Sequence, residues 1–238
     1  MKNCPSISKN SRLLLAIFGC ILAFGLFSCK KDKESVPAGE EKINLTAADL
    51  EGYYLVTENN GWNPRMSLFY FEKTGGKLML MHDGAGLRRG YEVVVKDNHL
   101  KIGSDGQTFD FLFEKTSEGS MLLKSFSGSA SHAELYKNSE SFPVADRTFS
   151  RKWEQVNGVL YHIGFNSTKF IDGIAGIVPE EGYPYYTVGG GAGWKSDTGH
   201  GSYLGAAVSS WKGNGKKTLL VEKRVNNGGS PKIDVYIN

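Results

Sequence analysis

The chain has 238 residues, with 28 Lys+Arg, 25 Asp+Glu and three cysteines. Three of the basic residues, Lys2, Lys9 and Arg12, lie in the first 28 residues, which carry no acid, so beyond them 25 basic residues face 25 acidic ones. That balance leaves no basic field for nucleic acid and none to steer the body toward an anionic surface.

The chain opens with those three basic residues and then runs apolar from Leu13 to Phe27, broken only by small residues. A basic segment followed by a short apolar one is the pattern of an export signal, here expected over 1–28. The run falls short of the roughly 20 apolar residues that cross a bilayer, which favours a cleaved signal over an anchor helix. At its end, Leu26-Phe27-Ser28-Cys29 resembles the lipobox of bacterial lipoproteins: Leu, a variable residue, a small residue, then Cys. The resemblance implies cleavage before Cys29 and a diacylglyceryl thioether on its sulfur. Membrane attachment would then run through lipid, each buried methylene contributing about 0.8 kcal/mol.

Under that reading Cys4 and Cys20 leave with the signal and Cys29 carries lipid, so the mature chain has no free thiol. Internal disulfides, cysteine catalysis and thiolate metal sites are then excluded. Residues 29–46 follow as lipidated Cys and tether. From Lys30 to Lys42 they are charged and lack aromatics, a composition that cannot bury enough apolar area to order itself. Lys30 after the modified Cys resembles an outer-membrane address, on either the periplasmic face or the cell surface.

Past Gly52 the pattern has period two, the sign of half-buried strands. Phe109, Phe111 and Phe113 alternate with Asp110, Leu112 and Glu114; Tyr91, Val93 and Val95 alternate with Glu92, Val94 and Lys96. Turn signals such as Thr74-Gly75-Gly76, Asp97-Asn98 and Glu118-Gly119 divide Tyr53–Tyr136 into about eight short strands. An antiparallel meander of this kind can bury its edges by closing into a barrel. With its Leu50-Glu51-Gly52-Tyr53-Tyr54 opening, the stretch resembles the lipocalin-like domains of bacterial lipoproteins, though Tyr53 stands where Trp is usual. The resemblance implies a first β domain over 47–138. Phe69, Phe71, Leu78, Leu80, Phe109, Phe111, Phe113, Leu122 and Phe126 would line its interior, and phenylalanines so numerous favour a filled core over a cavity.

Residues 139–147 read as a linker, and 148–238 as a second, Gly- and aromatic-rich β domain holding 16 of the 30 glycines from Phe149 onward. Two domains or one larger all-β body both suit the length. Lys217–Val225 and Lys232–Asn238 read as a closing hairpin. In it Ile233, Val235 and Ile237 form the apolar face.

The most unusual composition lies between Tyr183 and Trp211. Tyr183, Tyr185, Tyr186, Trp194, Tyr203 and Trp211 surround the run Gly189-Gly190-Gly191-Ala192-Gly193. Aromatic faces beside bare backbone suit sugar rings or flat apolar ligands; the same residues also serve as core and turns in β proteins. Trp194 stands between the last Gly and Lys195, which rules out a phosphate loop. The five histidines show no paired metal-ligand spacing, so no metal and no cofactor are expected. No Gly-x-Ser-x-Gly elbow occurs, and nothing assembles nucleophile, base and oxyanion donors.

The sequence therefore predicts a non-enzymatic, lipid-anchored envelope protein that binds a small or glycan-like ligand. Two alternatives stay open: an envelope interaction or assembly component that meets another protein, and a carboxylate-dependent glycan hydrolase, for which Glu180-Glu181 beside Tyr183 is the candidate pair.

Overall fold

The computed structural model describes residues 44–60, 65–84, 87–104, 106–174, 176–189, 193–199, 201–225 and 232–238. The signal, Cys29, most of the tether, Gly190, Gly191 and Ala192 lie outside the described residues. What is described belongs to one unit by its internal contacts, and its fold is all-β and antiparallel.

After one 3-10 turn at Ala47–Leu50 come nine strands: β1 (Tyr53–Asn59), β2 (Arg65–Thr74), β3 (Lys77–Gly84), β4 (Leu87–Glu92), β5 (Val95–Lys96), β6 (His99–Ser104), β7 (Gln107–Lys115), β8 (Met121–Gly128) and β9 (Ala130–Lys137). They make a five-stranded sheet in the order β4-β3-β2-β1-β9 and a four-stranded sheet β5-β6-β7-β8. Each strand pairs with its sequence neighbour except across β4/β5 and β8/β9, and the last strand returns to pair with the first. The turn chemistry is legible in the sequence. Gly75 and Gly76, both at positive φ, bridge Thr74 and Lys77, and Asp97 and Asn98 (φ 51° and 64°) bridge Lys96 and His99, the left-handed pair that a two-residue hairpin needs.

The interior between these two sheets is filled. Phe69, Phe71, Leu80, Phe109, Phe111 and Phe113 share one apolar cluster, with Leu78 and Phe126 packed on its edge. Phe69 meets Phe109 and Phe111 edge-on at 5.0 and 5.6 Å, a favoured aromatic geometry. Leu122 departs from expectation and faces solvent. A bulge between Leu112 and Phe113 pairs Phe113 with Leu123, so the inward phase of β8 there passes to Met121 and Leu123.

The second half contributes β10 (Thr148–Lys152), β11 (Leu160–Phe165), β12 (Lys169–Gly173), β13 (Tyr183–Pro184), β14 (Tyr186–Val188), β15 (Gly193–Asp197), β16 (Gly201–Val208), β17 (Thr218–Val225) and β18 (Lys232–Ile237). Their order is β13-β12-β11-β10-β18-β17-β16-β15-β14. The two end strands are consecutive in the chain, separated by Tyr185 alone, and Ser196 Oγ on β15 donates to the Pro184 carbonyl of β13. The sheet is thus a nearly closed barrel. The expected closing hairpin is present as β17 and β18, but with its faces exchanged. Tyr236 is the buried residue and Val235 is exposed, because Asp234 and Tyr236, not the aliphatics, point into the barrel.

Strands β1 and β2 are buried on both faces. Leu55, Phe69 and Phe71 serve the interior described above, while Tyr54, Val56, Met66, Leu68 and Tyr70 pack with Val188, Leu204, Ala206, Val208 and Leu220 of the barrel's outer wall. That is why their sequences read as almost continuous apolar runs rather than clean alternation. The linker also joins in, since Phe142 and Val144 belong to the barrel's own core.

Candidate functional site

The six aromatics of the Gly-rich stretch separate into four environments. Trp194 is fully buried, with Phe165, Phe170 and Tyr203 within 6.0 Å and Tyr185 at 6.3 Å. It is the floor of the barrel core. Gly205 lies directly beneath the indole, where an added Cβ would fall 1.8 Å from Trp194 Nε1; this glycine answers a close approach, not a turn. Tyr185 is half-buried in the same core and donates to the Asn166 carbonyl at 2.9 Å. Trp211 is buried elsewhere, edge-on to His132 at 4.8 Å. Tyr186 is exposed on the outer wall. Tyr203, itself 5% exposed in the barrel core, lies below a surface at whose rim Tyr183 stands.

That surface is one mouth of the barrel. Along five strands an inward apolar stripe gives way to a polar residue: Phe149 to Arg151 on β10, Ile163 to Tyr161 on β11, Phe170 to Asp172 on β12, Val221 to Lys223 on β17, and Tyr236 to Asp234 on β18. Lys223 reaches across from β17 to Asp172 Oδ2 at 3.1 Å and lies over the Tyr203 ring, 5.0 Å from its centroid. Tyr161 donates its hydroxyl to the same Oδ2 at 2.9 Å. Arg151 pairs with Asp234 at 3.1 Å, its guanidinium stacked between the Tyr161 and Tyr236 rings at 5.0 and 5.4 Å. Tyr183 stands beside this ring, 6.2 Å from Phe170 and 38% exposed.

The environment fixes the charge states. Burial pushes the Tyr236 phenol up to about 12, and neighbouring Asp234 adds to that. Burial, then Asp172, raises Tyr161 as well. For Lys223 burial works against the charge, but the Tyr203 phenol and Asp172 outweigh it and hold the ammonium protonated. Arg151 follows the same logic through Tyr236 and Asp234. The mouth at neutral pH therefore presents neutral phenols and two ion pairs.

Asp83 and Glu222, each 1% exposed, bind Lys195 and Arg224 where the five-stranded sheet meets the barrel. Glu222 Oε2 also accepts the Met66 amide at 2.6 Å and Asp83 the Tyr70 hydroxyl at 2.9 Å. The cavity beside them is about 10 Å³, the space of one water, so these carboxylates tie layers together and have no room for a substrate. A groove of about 290 Å³ runs between β8 and β9. A cleft of about 240 Å³ lies between Ser141–Val144 and β14–β16, with hydroxyls of Ser141 and Thr187 as its polar side chains. Glu180 and Glu181 sit in a 3-10 turn before β13, and neither is buried. Among the described residues no cluster of three His, Cys, Asp or Glu could hold a metal ion.

Sequence reasoning found Tyr183 and Tyr203 and missed Arg151, Tyr161, Asp172, Lys223, Asp234 and Tyr236. The signal was present: all but Tyr236 lie two residues along an inward stripe from an apolar or aromatic neighbour. Reading it required knowing which ends of five strands meet. No protein-family model matches the chain, and neither the curated proteins nor the solved structures contain a match to it.

Proposed function

We propose that this is a lipid-anchored, non-enzymatic protein of the bacterial cell envelope, held at the outer membrane through Cys29, that binds a small or glycan-like ligand at the polar mouth of the β10–β18 barrel. The supporting observation is the convergence of Tyr183, Tyr203, Lys223, Asp172, Tyr161 and Arg151 at one barrel end, where Lys223 and Tyr183 are each 38% exposed. Barrel mouths with a few convergent polar groups are common ligand sites. Planar polar side chains next to aromatic faces suit a ligand that is apolar on one side and hydroxylated on its edge.

The anchor is tested by fatty-acid labelling of the expressed chain, which Cys29→Ala should abolish. The ligand site is tested with full-length protein in detergent on a glycan array. Binding should weaken in Tyr183→Ala and remain in Tyr186→Ala; equal binding by both variants places the site elsewhere.

A second reading, as an envelope interaction component, rests on the β8–β9 seam. Neither strand has a ladder partner across that gap, and exposed Leu122 lines the groove. An edge of this kind accepts an added strand. Co-purification of a partner that a Leu122→Lys variant loses would favour it.

A further inference from the structure

The charges at the mouth are balanced, and the balance has consequences for ligand chemistry. Arg151 is matched by Asp234 and Lys223 by Asp172. All four are partly buried, with side-chain exposures from 13% to 38%. A charged ligand group would have to draw one member away from its partner and leave the other uncompensated in a poorly solvated place, which is costly. A hydroxyl makes no such demand, since it both donates and accepts.

One ion pair has unused capacity on both sides. The contacts to Asp172 fall on Oδ2, from Tyr161 and Lys223. Oδ1 takes no part in these two contacts, and the side chain keeps 13% of its surface exposed. Lys223 carries three N–H donors, one of them directed to Asp172, and its side chain is 38% exposed. An open acceptor and an open donor thus lie on adjacent groups whose charged atoms are 3.1 Å apart. Such adjacency suits two neighbouring hydroxyls of a sugar ring, one donating to Asp172 and the other accepting from Lys223 Nζ. Tyr183 at the rim offers the ring face against which the sugar's C–H face can lie.

We propose that the mouth recognises an uncharged sugar through a vicinal diol, gripped by Asp172 and Lys223 and laid against Tyr183. This rests on the reading of the mouth as the ligand site.

The test uses full-length protein in detergent, with neutral oligosaccharides (glucan, mannan and galactan fragments) set against polygalacturonate and alginate fragments of equal length. The expected result is binding of at least one neutral sugar, weakened at least tenfold by Asp172→Asn, by Lys223→Met and by Tyr183→Ala. O-methylation of the diol should weaken it equally. Thermal unfolding of each variant checks that the fold persists; Tyr183→Ala, at the exposed rim, remains informative if the buried pair proves necessary for folding. Tighter binding of the acidic fragments overturns the diol inference while leaving the mouth as the site. Neutral-sugar binding indifferent to all three substitutions overturns both the inference and the site. Binding of no saccharide overturns the inference and leaves the small-ligand reading with non-sugar compounds.

Discussion

The two aromatic interiors of this molecule are built from similar residues and end differently. Between the sheets of β1–β9, phenylalanine packs on phenylalanine, and the polar side chains near that core are mostly drawn into contacts within the first half: Tyr91 donates to Ser104 at 2.7 Å, and the Lys115–Asp49 pair ties β7 to the 3-10 turn. In the barrel of β10–β18 the aromatic stack stops two residues short of the strand ends, and paired charges finish the column. The first interior is filled as a core. The second has a core and a face, because phenol and guanidinium groups allow one side of an aromatic column to meet water. The comparison teaches that aromatic content alone, which the two halves share, does not locate a site; the place where an inward stripe turns polar does.

That contrast can be broken by mutation. Phe111→Ala should cost about 3–5 kcal/mol, the usual range for removing a fully buried ring, while leaving ligand binding intact in protein that remains folded. Urea unfolding and a binding assay below the melting temperature check both parts. A change in affinity would mean that the two interiors are not functionally distinct. Glu222→Ala should cost a comparable amount, about 3–5 kcal/mol, because Arg224 would be left as an uncompensated partly buried charge between the layers. Here the expected signature is loss of one cooperative transition for the whole body.

Gly205→Ala tests the barrel floor. The new methyl would meet the Trp194 indole at well under contact distance, and overpacking of this kind costs about 1–3 kcal/mol. Trp194 emission should shift along with the melting temperature. An unchanged spectrum would show that the indole has freedom the packed column denies it.

A smaller effect concerns the edge of the first interior. The Asp49 carboxyl is held below its ordinary value of 3.8, first by the hydrogen bond from Lys115 and then by the Thr46 amide, with burial opposing. A lowered folded-state value contributes stability above the ordinary range and loses it as pH falls through the folded value. The stability difference between the natural chain and Asp49→Asn should therefore be constant near neutrality and shrink in acid, as the pH falls through the lowered folded-state value. A difference that persists in acid would assign the effect to packing. The smallest expectation is Tyr186→Ala, on the outer wall, which should alter stability by no more than about 0.5 kcal/mol and binding not at all.

How far the sequence reached follows from the same physics. Phe109, Phe111 and Phe113 announced their strand because one face of β7 is solvated and the other buried. The hairpin β17–β18 was legible as an element, yet its faces were assigned in reverse. Tyr236 carries an apolar ring with a polar tip, and Asp234 is tolerated inside only because Arg151, distant in sequence, meets it. No local pattern encodes that partner. Trp194 and Trp211 looked like ligand-binding residues by composition, but a large ring equally fills a barrel core, as Trp194 does, or the seam between layers, as Trp211 does. Tyr183 differs from them only in its position at the strand end.

The five-stranded sheet carries a further consequence for anyone dividing the gene. Its strands β1 and β2 present Tyr54, Val56, Met66, Leu68 and Tyr70 to the barrel wall. A fragment ending at the linker would carry those five side chains into water as one contiguous apolar patch, a surface that soluble monomers avoid. Such a fragment should aggregate or recruit a substitute cover, whereas cuts within surface turns such as Gly75-Gly76 should leave two pieces able to find each other again.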